Sequence, residues 1–464
     1  MKTINIAFRN IFRNARRSLM TVLAICVSAV SILLFGGYVF AIMYGLQTGI
    51  VRSTGHLHVY QKGFFDYGSG NPGGYGISHY EDVIGLIQED SLLKDRVEVA
   101  TPVLNIYGIA GNFAADASKT FFGIGVIPSD REKMRKWNNY LLKDTRPRDL
   151  GLFDNDTEGG VVGYGMARML QLCNALQLAD CKDKAKEQIT QVSPAGEDFS
   201  ALSEIEAKER SEAPVDKRPK LDLLAATAAG APNVVTLYVN KADSQGVKEL
   251  DDSFVAMHLS LAQRLLYGKG EKKVTGIVLQ LKHTTDIPAA TKRLQEIFTE
   301  KHLDFEIKDF RKLTPTYGQI IALFAAIFTF LALIMGVIVL FTIVNTMSMS
   351  VMERVNEIGT VRAMGVRRGG ILRQFLAEGC LLGMLGATIG SLVAVIIAIV
   401  INTSGITWTP PNNVEPVFLT IQIFHNPAFL PFTWLILILL AVASAFIPAR
   451  KAARMIIVDA LRHV

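Results

Sequence analysis

Charge is missing from this 464-residue chain in four long blocks. No Asp, Glu, Lys or Arg occurs between Arg17 and Arg52, between Lys312 and Glu353, between Glu378 and Glu415, or between Glu415 and Arg450. Each gap exceeds the roughly 20 apolar residues that cross a bilayer as a helix. An ordinary soluble enzyme is thereby excluded. Several chemical signatures are missing too. There is no G-x-x-x-x-G-K-[ST] phosphate loop, no H-E-x-x-H zinc pair and no G-x-S-x-G nucleophile elbow, and the eight histidines form no triad at readable spacing. The chain is expected to be no enzyme, with no cofactor and no catalytic or metal-ligating residue of its own.

Cysteine is scarce, at four. Cys26 and Cys380 fall in or beside the apolar blocks, where cysteine serves as a small apolar side chain. Cys173 and Cys181 lie between the first two blocks. A continuous helix through both would hold them about 12 Å apart, beyond bridging distance. A disulfide therefore requires a turn near Ala179, and both readings stand open.

The remaining sequence defines an integral membrane α-helical protein with four transmembrane helices and a large α+β extracytoplasmic domain between the first and second. The expected segments are a cytoplasmic amphipathic stretch at 1–17, spans at 18–45, 316–350, 371–402 and 429–449, an external domain at 46–315, a charged helix at 351–370, an external loop at 403–428 and a tail at 450–464. A cleaved signal peptide is the other reading of the first span, but its apolar run is far longer than the roughly 7–15 residues of a signal core. In the opening segment Ile4, Phe8, Ile11 and Phe12 would enter the leaflet, with the arginines at the headgroups.

Five basic residues precede the first span, five lie in 351–373 and four in the tail, against none in 403–428. The inside-positive bias puts both termini and the 351–373 segment in the cytoplasm, and the large domain outside. The 52–312 region is slightly acidic, with 34 basic and 37 acidic residues. The overall net charge of +6 is thus a topology signal and not a nucleic-acid footprint.

Inside the external region TGHLHVYQKGFF, VEVATPVLNIYGIA, KTFFGIGVI, NVVTLYVN, KVTGIVLQLK and DFEIKDF read as strands. GGVVGYGMARMLQL reads as a strand running into a helix, and DSFVAMHLSLAQRLLYG and IPAATKRLQEIFTEKH as helices. Residues 182–232, rich in Lys, Glu, Ala and Pro, read as an insertion. His56 and His58 share a strand face without further ligands, which suggests polar surface and not a metal site. The glycine-rich 68–76 stretch reads as a loop.

Within 351–379, Val351, Val355, Ile358 and Val361 recur at helical spacing, with Glu353, Arg354, Glu357 and Arg362 set on the remaining circumference. Gly379, Gly383, Gly386 and Gly390 recur at spacings of three and four, a face for close helix packing at a subunit seam or an internal contact. Glu378 is costly at a span entrance and is expected beside Arg373. A proton relay is the remoter reading, since no companion acid lies deeper in any span.

ERVNEIGTVRAMGVRRGGILRQFLAEG resembles the E-R-x-x-E-I-G-x-x-R-A-x-G segment of the FtsX/MacB/LolC/LolE class of ABC-transporter permeases. The ending IPARKAARMIIVDALRHV resembles that family's tail, with Val458 where a proline is usual. AFRNIFRNARRSLMTVLAI is similar to its start. TPVLNIYG, GIGVIPSDRE, VVGYGMARML and ELDDSFVAMHLSLAQRLL are similar to the MacB-like periplasmic core domain.

The resemblance implies a non-catalytic permease subunit that pairs with a second permease, as homodimer or paralogue heterodimer, and with a separate ABC ATPase holding ATP and Mg. A periplasmic carrier or adaptor and membrane lipid are the further implied partners. The 351–370 helix would be the coupling helix, carrying Glu353, Arg354, Val355, Glu357, Ile358, Gly359, Arg362, Ala363 and Gly365. Val355 and Ile358 would fill a groove on the ATPase, Glu353, Glu357 and Arg362 would make rim ion pairs, Gly359 would admit the partner surface, and Gly365 would close the helix in a left-handed cap. The proline-free second span would act as a lever, a mechanism called mechanotransmission. The expected cargo is a lipoprotein or lipophilic molecule bound for the outer membrane. Efflux with an adaptor is the alternative. An FtsX-like regulator of a cell-wall hydrolase is remoter, because such regulators have a much smaller external domain.

Overall fold

The computed structural model describes residues 7–10, 13, 15–68, 73–143, 149–178, 181, 217–270, 272–410 and 416–457. Two compact units form: a helical unit of Met1–Gln47, Pro315–Trp408 and Phe418–Val464, and a sheet unit of Thr48–Thr314 with Thr409–Val417.

After helix α1 (Ala15–Thr54), the chain passes through β1 (Leu57–Gln61), α2 (Tyr80–Glu89), β2 (Val97–Asn112), β3 (Ala117–Val126), α3 (Pro128–Arg135), β4 (Gly159–Val162) and α4 (Tyr164–Met169). It continues as β5 (Lys220–Ala226), β6 (Pro232–Ala242), β7 (Phe254–His258), α5 (Leu259–Tyr267), β8 (Gly276–Leu281), α6 (Ile287–Glu300) and β9 (Phe305–Asp309). The strand order is β3-β7-β4-β6-β5-β2-β8-β1-β9, with an additional β3–β2 pairing. That pairing closes β2, β3, β7, β4, β6 and β5 into a ring. The long β2 makes closure feasible: its second half pairs β3 and β5, and its first half pairs β8.

Buried side chains explain the elements. Strand β8, paired antiparallel with β2 and β1, is buried along its whole length, so both of its faces are covered. Its one polar residue, Gln280, donates to the carbonyls of Val51 and Met134 at 3.2 and 3.0 Å. Helix α6 carries Pro288 in its first turn and buries Ile287, Ala290, Leu294, Ile297 and Phe298 along one stripe.

The sheet unit corrects three sequence expectations. Residues 220–232 are no insertion, because β5 and the start of β6 form an antiparallel pair inside the ring. The alternation of Leu221 and Leu223 with Asp222 carries that strand. Residues 182–216 lie outside the described residues. Second, DSFVAMHLSLAQRLLYG is a strand followed by a helix, divided where the His258 ring accepts from Ser260 N–H at the N-cap. Third, His56 and His58 are buried and not surface groups.

His56 Nδ1 accepts from Leu281 N–H at 2.9 Å, leaving Nε2–H to donate to Thr284 Oγ1 at 3.0 Å. Burial, aided by the Arg311 charge, pushes its pKa down to about 3, and burial pushes His58 to about 4. Cys173 and Cys181 are joined in a disulfide with their Cα atoms 5.4 Å apart. Helix α4 ends at Met169, and Gln171 and Gln177 take left-handed φ, so no continuous helix separates the cysteines. Ala179 itself lies outside the described residues.

The helical unit contains α1 as far as Gln47, α7 (Pro315–Glu353), the short α8 (Val355–Ala363), α9 (Arg368–Ser404) and α10 (Phe429–Arg454). Helices α1, α7, α9 and α10 are long and apolar enough to cross a membrane. They overrun the expected spans, and α1 continues nine residues past the expected boundary at 45 to Thr54.

The glycine series on α9 is an internal contact. A Cβ on Gly379 or Gly383 would meet Ala445 Cβ or Ala441 Cβ of α10 at 2.6 and 2.8 Å, and one on Gly386 or Gly390 would meet Ile25 Cβ or Ala29 Cβ of α1 at 2.6 and 2.7 Å. One stripe of missing side chains therefore seats two helices at backbone distance. Helix α7 leaves Leu323, Phe330, Leu333, Val337 and Phe341 exposed.

Candidate functional site

Helix α8 follows α7 after a one-residue interruption at Arg354, whose backbone leaves the helical region at φ −108° and ψ 15°. The interruption turns the inner face of α8 onto its own unit. Val355, Ile358 and Gly359 are buried there, and Ile358 packs in the same core as Val351, Ile371, Phe375 and Ala449. This corrects the expectation that Val355 and Ile358 fill a partner's groove and that Gly359 admits a partner. The apolar stripe is spent on intramolecular packing.

Arg354 is likewise buried, not part of a polar circumference. Its side chain is 6% exposed and pairs with Glu378 Oε1 at 3.1 Å, and the Glu378 side chain is 5% exposed. The acid at the start of α9 is thus matched by the α7–α8 break and not by Arg373. Asn10 joins them, its Nδ2 donating to Glu378 Oε1 at 2.5 Å while its carbonyl accepts from Arg354 Nη2 at 3.4 Å. Stripping either ion of its partner leaves a desolvated charge, which typically costs about 3–5 kcal/mol.

Further links tie α8 down. Arg13 pairs with Glu357 at 2.8 Å, and Arg17 pairs with Glu353. These two pairs are solvent-exposed and individually weak. Arg362 donates to the carbonyls of Ala453 and Met455 at 3.3 and 2.5 Å, closing the C-terminal end of α10. Gly365 adopts φ +95°, and bonds from Gly365 N–H to Arg362 O and from Val366 N–H to Val361 O form a Schellman stop. Of the amphipathic opening segment, Ile4, Ile11 and Phe12 lie outside the described residues and Phe8 is half exposed; residues 458–464, including Val458, also lie outside them.

What α8 offers outward is Asn356, Glu357, Thr360 and Ala363, flanked by the exposed Glu353 at the end of α7 and the exposed Met364, and followed by the exposed residues Gly365–Gly370 that lead into α9. Sequence reasoning missed the inward role of Arg354 and the participation of Asn10. The signal for the first was a lone acid at a span entrance, which demands a cation. Nothing in the spacing marks Asn10, 368 residues from its partner.

Four apolar helices of bilayer-crossing length, joined between the second and third by a tethered helix with a polar outer face, mark a multi-span membrane protein. Residues 319–457 match the FtsX-like permease C-terminal family. Among similar proteins, the macrolide export ATP-binding/permease protein MacB of Escherichia coli is 28% identical over 190 residues, 40% of this chain and 27% of that protein. MacB of Bdellovibrio bacteriovorus is 25% identical over 304 residues, 60% and 44% of the two chains. The chain spans between a quarter and a half of these relatives' length. The crystal structure of the periplasmic region of MacB from Actinobacillus actinomycetemcomitans matches at TM-score 0.30 and 16% identity, over 57% of this chain and 94% of that one. Residues 319–457 thus carry an FtsX-like permease domain, and parts of the chain are similar to MacB proteins.

Proposed function

We propose that the chain is the non-catalytic permease subunit of an ATP-driven machine in a bacterial inner membrane, with both termini and α8 cytoplasmic and the sheet unit periplasmic. A separate ATPase, holding ATP and Mg, docks on the outer face of α8 and residues 365–370. A second permease copy or paralogue completes the assembly, and this chain contributes no cofactor. The observation that carries this reading is the division of α8 into a buried face fixed to three other segments of its unit and an exposed face ending in Met364. A helix so tethered passes on a displacement where a loose one would absorb it.

The cargo we favour is lipophilic, a lipoprotein or lipid-like molecule released toward the outer membrane by movement of the periplasmic domain. Two features support movement over conduction: the α9 interface is packed at backbone distance, and the four spans carry no run of charged residues to line a hydrophilic conduit. Export of small molecules through an adaptor is the second reading, favoured by the macrolide-export relatives.

Met364→Asp tests the docking face, because it changes an exposed residue without entering the core. In lipid nanodiscs with the ATPase that co-purifies, this variant should unfold like the wild type and lose permease-stimulated ATP hydrolysis. Unchanged stimulation would remove α8 as the docking element. Ile358 is unsuitable for this test, since a charge there would be buried. Mass spectrometry of co-purifying acyl chains and proteins separates the cargo readings: triacylated proteins support trafficking, and an adaptor with an outer-membrane duct supports export.

A further inference from the structure

Three segments far apart in the chain converge on Glu378 Oε1. Asn10 comes from the segment before α1, Arg354 is the single residue between α7 and α8, and Glu378 lies in the third turn of α9. The bond from Arg354 to the Asn10 carbonyl makes the arrangement a closed triangle. Outside it, Arg13–Glu357 and Arg17–Glu353 hold the same N-terminal segment against α8 and the end of α7, and Thr21 Oγ1 bonds Thr346 Oγ1 at 3.0 Å.

A hinge between two helices would ordinarily be free to bend. Here the hinge residue carries the charge that neutralises the neighbouring span, so bending α8 away from α9 would separate two buried ions from each other. Separation is strongly resisted, whereas movement of the three segments together is not. The exposed arginine pairs add alignment but little resistance.

We propose that Asn10, Arg354 and Glu378 form a positioning node of the transport cycle. The node makes the N-terminal segment, the α7–α8 break and the start of α9 one body, so a displacement of α8 reaches α1 and α9 as well as α7. The N-terminal segment is then a working part of the coupling device and more than a membrane flank. This rests on the reading of α8 as the element that meets the ATPase.

The test uses the full chain with its co-purifying ATPase in lipid nanodiscs. The double variant Arg354→Met with Glu378→Gln leaves no charge buried alone. It should unfold near the wild-type temperature, retain the ATPase and the KM for ATP, and lose about tenfold in permease-stimulated kcat, within the usual range of coupling between sites. A purely structural pair would leave kcat unchanged, and that result overturns the node. Asn10→Leu provides an independent arm if the double variant does not fold. It keeps the ion pair and the Arg354 bond to the residue-10 carbonyl and removes the side-chain bond from residue 10 to Glu378, so it should lower stimulated kcat severalfold at unchanged KM; wild-type kcat in this variant overturns the node. Met364→Asp separates the two levels of the argument. If it keeps full stimulation, the reading of α8 fails and the node falls with it. If it abolishes stimulation while both node variants retain wild-type kcat, the node alone is wrong.

Discussion

In the helical unit buried hydroxyls such as Ser28, Thr433 and Ser444 donate to carbonyls of their own helices, but the buried ionic and amide groups of the two units are satisfied in different ways. In the sheet unit, the partners are chiefly backbone. Gln280 donates to two carbonyls, His56 accepts from Leu281 N–H, and the Asp251 carboxylate accepts from Tyr164, Gly165 and Gln245 N–H groups. In the helical unit, Arg354, Glu378 and Asn10 depend mainly on one another's side chains. Backbone partners are fixed as soon as the strands and turns form, so they specify a single rigid geometry. Side-chain partners from separate helices specify which elements travel together.

The sharpest way to break this comparison is to remove one member of the helical node. Arg354→Met alone leaves Glu378 buried without a countercharge and should cost about 3–5 kcal/mol, read as a lowered unfolding temperature in detergent. Adding Glu378→Gln should recover most of the loss. A single variant as stable as the wild type would mean that the pair is not desolvated. Next in size is the glycine contact. Gly390→Val would push side-chain atoms toward Cys26 O, already only 2.7 Å from an ideal Cβ, and should destabilise the helical unit by about 3 kcal/mol. Gly336→Ala is the matched control, because its Cβ would stand 3.6 Å from Leu440 and should be tolerated.

The smallest effect belongs to the sheet unit and depends on pH. His56 and His58 stay neutral when folded, with pKa values of about 3 and 4, but titrate near 6.5 when unfolded. Between those values the unfolded chain binds more protons, so stability is complete above about pH 6.5 and falls as the medium is acidified. By about pH 5 each histidine should have removed about 2 kcal/mol. Thermal scans of His56→Gln against the wild type across this window should show a shallower acid slope in the variant. Parallel slopes would place the titration elsewhere.

Legibility in the sequence followed how local each cause was. The four spans were readable because absence of charge over a long block has one economical explanation, and most strands because their apolar pattern is local. The division of 252–268 into strand and helix was not readable, since Phe254 to Leu266 is apolar enough for either state and the β3 and β4 neighbours decide. Strand β5 was hidden by its Ala- and Lys-rich flanks. At the candidate site, the helical periodicity of Val355 and Ile358 was visible, but periodicity states only that one face is buried. It does not say against what. The ion pair of Arg354 and the contribution of Asn10 are tertiary facts with no local signature.

Among the described residues, closure of β2 through β7 into a ring leaves β9 as the one strand of the nine with a neighbour on a single side. That remaining edge is five residues long and carries Glu306 and Lys308, ion-paired at 3.0 Å, with Asp309 beyond them. Short, charged edges are poor templates for strand addition. Molecules crowded in one membrane therefore have little means of zipping together through their sheets, and the solubility of the domain is protected by its topology before any chaperone acts.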